Sequence, residues 1–209
     1  MDTTTRRQHL RQALIDAAER AIAARGLPGL KARELAAEVG CAVGAIYNAV
    51  EDLDELVFAV NSRTLAALET SLKAPSPAGN TRDDAVAQLT RMAHTYLDYA
   101  ASNMPRWRAL FDHRLPEGGD VPDWYRDEQA RLFRHVEAPL SALRPGLAPA
   151  ELALLARSVF SAVHGIVTLG LEEKLGAIPA RTLRAQITAI VAALGAGLAA
   201  APLPEAKRR

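Results

Sequence analysis

The sequence predicts an all-α fold, and three observations carry the prediction. Apolar residues recur at three- and four-residue steps along most of the chain. No run alternates apolar with polar residues as a half-buried strand would. Breaks rich in proline and glycine fall at helix-length intervals. Composition agrees: aromatics are only 5%, while alanine and leucine, which cost least on entering a helix, recur everywhere. At 209 residues the chain is long enough to bury a substantial core, as one domain or two small ones.

Each element has its own signal. Leu10, Leu14, Ala17, Ala18, Ala21 and Ile22 line one face of a first helix. Thr3, Thr4 or Thr5 is placed to cap it, and Gly26, Pro28 and Gly29 to end it. A short helix follows over about 31–39 and stops at Gly40, and a second covers about 43–50. Glu51, Asp52, Asp54 and Glu55 then open a long helix with Leu53, Leu56, Val57, Val60, Leu65 and Leu68 on its apolar side. Carboxylates suit a first turn because the helix dipole favours negative charge there. Pro75, Pro77 and Gly79 mark residues 73–80 as a linker. Helices are expected beyond it at about 81–102, 105–114, 122–143, 149–174 and 180–200, about nine in all.

Charge and cysteine usage bound the function. The chain has 25 basic and 24 acidic side chains, a net of +1, so any nucleic-acid-binding face must be local. A single cysteine, Cys41, excludes an internal disulfide and a cysteine-based zinc cage, and suits a reducing cytoplasm. The N-terminal stretch lacks the apolar core of a signal peptide, so a cytoplasmic protein is expected. Residues 187–203 carry no charge, but they are diluted by Ala and Gly and sit at the low limit for spanning a bilayer. No membrane partner is expected.

The two short helices meet the steric demands of a tight helix-turn-helix. Ala36 is small enough for the crossing, Gly40 tolerates positive φ at the turn, and Leu35, Val39 and Ile46 fall where a small shared core needs apolar groups. The stretch "KARELAAEVGCAVGAIYNAVEDLDELVFAV", preceded by "RGLPGL", resembles the N-terminal domain of TetR-family transcriptional regulators, with the likeness spanning residues 8–60. That resemblance implies a homodimer whose third helix lies in the major groove. It also implies C-terminal helices that hold a small-molecule pocket and the dimer interface. "FSAVHGIVTLGLEEKLG", residues 160–176, resembles the C-terminal subgroup named after a Trp, a His and a Gly; His164 and Gly165 match, and no Trp lies nearby. The implied domains are a reader over 1–52, a connecting helix and linker over 53–80, a ligand-binding and dimerisation domain over 81–201, and a tail over 202–209.

The reader departs from the family pattern in one respect. The family often has Ser or Thr near 42, a cation near 43, Thr at 45, His-Phe at 49–50 and Lys near 53. This chain has Ala42, Val43, Ala45, Ala49, Val50 and Leu53 instead. Gly44 and Tyr47 match, and Arg33 matches a position that family members often turn toward DNA. The resulting contact set on double-stranded DNA is cation-poor. Arg33 is suited to a bidentate contact with guanine, Asn48 to adenine or a phosphate, and the Tyr47 hydroxyl to a phosphate. Ala42, Val43, Gly44 and Ala45 suit thymine methyls and close backbone approach. Lys31 and the N-terminal Arg6 and Arg7 supply phosphate contacts from the flanks, and the first turns at Lys31 and Val43 offer backbone N–H groups. Few phosphate contacts imply a shallow dependence of binding on salt.

Most aromatic residues collect in the C-terminal two-thirds. Small-molecule sites tend to be apolar with a few polar groups, and Tyr96, Trp107, Phe111, Phe160 and His164 are the candidates to line one for a small, largely apolar effector. Ala162, Gly165, Leu169, Ala193 and Gly197 are the candidates for the dimer interface, where small residues let helices approach closely. Palindromic operators need two reading heads, which favours a homodimer. An enzyme reading finds no phosphate loop, no HExxH and no cysteine beside a base, and the five histidines show no metal-ligand spacing. No cofactor and no metal are therefore expected. The reading is a DNA-binding regulator, a repressor under ligand control; the alternative is a helical dimeric interaction protein with a degenerate reader.

Overall fold

The computed structural model describes residues 3–73, 81–174 and 176–200. Among them the regular structure is helical, with nine α-helices and no strand. The expected linker over 73–80 and the tail over 202–209 lie almost wholly outside the described residues.

Helix α1 spans Thr3–Arg25, so the threonines expected to cap it, and Arg6 and Arg7 with them, lie within the helix. It stops at Gly26, whose φ of 67° is open to glycine at no steric cost. A 3-10 turn, Leu27–Gly29, follows, and a Cβ on Gly29 would meet the Ala21 carbonyl oxygen at 2.8 Å. Helix α2 spans Ala32–Val39 and ends on left-handed Gly40, and α3 spans Val43–Ala49. Helix α4 spans Leu53–Leu72. Its acidic opening is a cap: Glu55 N–H donates to Asp52 Oδ1, and Glu51 N–H to Glu55 Oε2, both at 2.8 Å. Thr81 and Asp84 cap α5, Arg82–Ser102, in the same reciprocal way. Helices α6, Met104–Asp112, and α7, Asp123–Leu143, follow. Helix α8 spans Pro149–Leu171 and ends short of the expected residue 174, with Glu173 in a positive-φ turn. Helix α9 spans Ala180–Ala200.

Contacts divide the chain into two units that are not contiguous in sequence. The first is Met1–Thr70 with Tyr99–Gln129, and the second is Ser71–Asp98 with Ala130–Arg209. In the first unit Leu14, Ala17, Ala18 and Ile22 of α1 share a core with Leu35 and Ala36 of α2, Ile46 and Ala49 of α3, and Leu56 and Val60 of α4. Ala109 of α6 belongs to the same core. The contiguous division expected from the sequence therefore differs from the packing, because α6 lies against α1. Charge follows the same path. Arg63 pairs with Asp16 at 2.7 Å and with Glu19, while Arg106 reaches Glu19 at 2.9 Å. The Arg63 hydrogen bond holds the Asp16 carboxyl below its ordinary value.

In the second unit α8 and α9 pack together, and two glycines allow close approach. A Cβ on Gly170 would meet Leu183 Cδ1 at 2.6 Å, and one on Gly195 would meet Val86 Cγ2 at 2.5 Å. Both glycines therefore serve packing within the chain. His94 Nε2 lies 3.0 Å from Thr188 Oγ1, and Arg184 pairs with Asp98, which ties α5 to α9. Helix α8 is long and apolar enough to cross a membrane by length and composition. It buries Leu155, Ala156, Val159, Val163 and Val167.

Candidate nucleic-acid interface and effector site

Helix α3 is two-faced. Ile46, Ala49 and Val50 are buried in the shared core. On the other side Tyr47 is 52% and Val43 39% exposed, with Ala42, Gly44 and Asn48 exposed beside them and Ala45 half-buried. A Cβ added to Gly44 would meet nothing within 4 Å, so the face is open at its centre. Large apolar and aromatic side chains held outward by a well-packed helix are costly to leave in water. Their placement is what a surface that contacts another molecule requires.

The cations around this face are mostly engaged. Lys31 Nζ lies 3.0 Å from Glu34 Oε1, Arg25 also pairs with Glu34, and Arg20 Nε lies 2.8 Å from Glu38 Oε1. Hydrogen bonding from Lys31, supported by the charge of Arg25, holds the Glu34 carboxyl below its ordinary value. Exposed pairs of this kind are screened by solvent and contribute little, so a phosphate can displace the carboxylate. Arg33 is exposed and has no ion-pair partner among the described residues. Arg6 is exposed on α1, a helical position and not an extended arm.

Of the five residues expected to line a pocket, three belong to the second unit and two to the first. Tyr96, Phe160 and His164 come together in the second unit. The Tyr96 hydroxyl lies 2.7 Å from His164 Nδ1, the Phe160 ring stacks on His164 at 5.5 Å, and Tyr96 meets Phe160 edge-on at 5.4 Å. Thr168 Oγ1 lies 3.3 Å from His164 Nε2. A neutral imidazole with its proton on Nε2 serves both contacts, accepting from Tyr96 and donating to Thr168. Burial holds the His164 pKa below its ordinary value, against the opposing charge of Glu172. Trp107 and Phe111, by contrast, lie in the first unit with their rings 5.7 Å apart. Trp107 is fully buried, while Ala109 is the α6 residue that joins the core of α1. Helical spacing alone could not reveal which core would claim those rings. Sequence reading did not single out Phe133, which meets Phe160 edge-on at 5.3 Å and carries the Arg157 guanidinium over its ring at 5.5 Å.

Ala162, Leu169, Ala193 and Gly197 all face outward, and Gly165 is half-buried. Leu154 on α8 and Ile190 on α9 extend the same apolar surface, at 59% and 39% exposure. A Cβ on Gly165 or Gly197 would meet nothing within 4 Å, unlike those on Gly170 and Gly195.

Comparison with known proteins agrees with this geometry. Residues 14–60 match the model of bacterial regulatory proteins of the tetR family, and residues 89–205 match the tetracyclin repressor-like C-terminal domain. An uncharacterised HTH-type transcriptional regulator from Mycobacterium tuberculosis is 30% identical over 190 residues, covering 90% of this chain and 81% of that protein. A tetR-family regulator from Streptomyces coelicolor shares the fold with a TM-score of 0.67 at 24% identity, over 96% of this chain and 84% of that one. BioQ, solved with its double-stranded DNA operator, matches with a TM-score of 0.62 at 18% identity, over 91% of this chain and 98% of that one. The outward helix α3, the two matched domain models and the mycobacterial relative lead to one conclusion: the chain belongs to the TetR family of DNA-binding transcriptional regulators, which are not enzymes.

Proposed function

We propose that the protein is a cytoplasmic homodimeric repressor that reads a palindromic operator and releases it when a small, largely apolar effector binds among the C-terminal helices. The observation that supports operator reading most directly is the outward Val43–Gly44–Tyr47–Asn48 face over the buried Ile46–Ala49–Val50 face. In this reading Arg33 supplies the principal base contact. Ala42, Val43, Gly44 and Ala45 provide methyl contacts and backbone approach, while Tyr47, Asn48, Lys31 and Arg6 meet phosphates or base edges. The effector contacts the Tyr96–Phe160–His164 group, where an aromatic surface carries a few polar atoms. The second copy covers Ala162, Gly165, Leu169, Ala193 and Gly197. Two chains burying these faces together also account for the apolar exterior of α8 without a membrane.

The test is fluorescence anisotropy of the purified protein on duplex DNA from upstream of its own coding region. The expected result is specific binding with a shallow salt slope, about 0.9 per phosphate contacted. Arg33→Ala should lower specific affinity about 5- to 150-fold, the worth of one bidentate base contact. A folded dimer that fails to bind at low salt would overturn the operator reading in favour of an interaction protein with a degenerate reader.

A further inference from the structure

The first unit holds a group of buried polar atoms that neither its packing nor the proposed DNA face uses. Asn61 of α4 is 1% exposed and Tyr125 of α7 is 3% exposed. Asn61 Nδ2 donates to the Ala109 carbonyl oxygen at 3.3 Å, which leaves Asn61 Oδ1 shielded from solvent with no donor. The Tyr125 hydroxyl and Glu128 Oε2 are shielded in the same way and likewise make no hydrogen bond. The Tyr125 hydroxyl lies near the Asn61 and Gln129 side chains, but neither meets it in hydrogen-bonding geometry. Burial, with the Glu128 charge beside it, pushes the Tyr125 pKa up to about 12, so the phenol stays protonated. A fourth such atom, Arg106 Nε, belongs to a guanidinium whose charge is already matched by Glu19 at 2.9 Å.

An orphaned buried acceptor costs free energy, and an orphaned carboxylate oxygen costs the most. Two orphaned acceptors near a protonated phenol, whose oxygen can accept as well as donate, call for a group with several N–H bonds and a positive charge. A primary ammonium has three N–H donors, one for each of Asn61 Oδ1, the Tyr125 hydroxyl and Glu128 Oε2. The flank is apolar, with the Phe58 ring edge-on to Tyr125 at 5.1 Å and to His113 at 5.1 Å. His113 Nε2, 2.8 Å from Asp54 Oδ1, is already engaged. Trp124, one helical turn before the half-buried Glu128, is exposed.

We infer that Asn61, Tyr125 and Glu128 form a binding site, within the unit that carries the DNA reader, for the primary ammonium group of a small organic amine with an apolar body. This site uses none of the residues of the Tyr96–Phe160–His164 group, which belong to the second unit.

The test uses the full-length protein in thermal-shift and calorimetric titrations with methylammonium, butylammonium and phenethylammonium chlorides. Phenethyl alcohol and phenylacetate serve as matched neutral and anionic probes. At least one ammonium should bind saturably and raise Tm by about 5–10 °C at a hundredfold excess over its Kd, while the alcohol and carboxylate should not. Glu128→Gln, at a half-exposed position that tolerates the change, should fold, melt at or above the wild-type temperature, and lose at least tenfold in ammonium affinity. Tyr125→Phe should weaken binding less, and His164→Gln should leave it unchanged. No response to any ammonium, an equal response to the alcohol, or unaltered binding in Glu128→Gln would overturn the assignment. So would a Glu128→Gln variant that is more stable while the wild type ignores every ammonium, which would mark a site for solvent only.

Discussion

Replacing Gly44 by alanine separates reading from folding. A Cβ at Gly44 meets nothing within 4 Å, and the residue is the second of the seven in α3, so the protein has room for the methyl group. Alanine is favoured over glycine in a helix by at most about 1 kcal/mol, and near a helix start by about half of that. For a chain of this length the gain corresponds to a rise in Tm of about 1–4 °C. On DNA the sign reverses. If Gly44 allows close approach, the methyl group intrudes on a packed interface and costs about 1–3 kcal/mol, a 5- to 150-fold loss of operator affinity. Calorimetry and fluorescence anisotropy on one preparation read both effects. A more stable protein that binds less well cannot be explained by misfolding. Affinity within twofold of wild type would refute the placement of Gly44 against DNA, and a lower Tm would refute the reading of its surroundings.

Three further outcomes follow from the packing. Gly29→Ala should lose about 1–3 kcal/mol, or about 2–4 °C in Tm per kcal/mol, because the new Cβ meets the Ala21 backbone oxygen at 2.8 Å; an unchanged melt would show that the turn can shift. His164 has a folded pKa below the unfolded 6.5, so the unfolded chain binds more protons as pH falls through that value. Stability should be greatest above pH 6.5 and decline below it until the folded pKa is reached, and melts of His164→Gln across pH 7.5–5.5 should show a flatter profile. Leu169→Glu places an unpaired charge in the proposed dimer face and should weaken dimerisation at least about a hundredfold in sedimentation velocity; an unaltered dimer would place the interface elsewhere.

The reader was legible in the sequence because its demands are local. Gly40 needs positive φ, Ala36 needs to be small, and Ile46 needs to face inward, all within a dozen residues. The acidic run at 51–55 was equally legible as a helix start, and Asp52 and Glu55 do cap α4. Trp107 and Phe111 show where legibility ends. Their spacing fixes a shared helix face but not what that face meets, and α6 joins the first unit across about ninety residues of sequence. Asn61, Tyr125 and Glu128 were invisible for the same reason, since their common property is a missing partner, which no periodicity records. Gly170 and Gly195 were sorted from Gly165 and Gly197 only by what surrounds each Cβ position.

The boundaries between the two units fall at 70/71, 98/99 and 129/130, inside α4, α5 and α7. For anyone building chimeric regulators this sets the splice points. A reader excised as the first fifty or seventy residues would leave behind Ala109 of its core and the Arg106 partner of Glu19. A functional graft must carry 99–129 with it. With the operator contacts proposed on α2 and α3, specificity is better exchanged by substitution there than by cutting and joining.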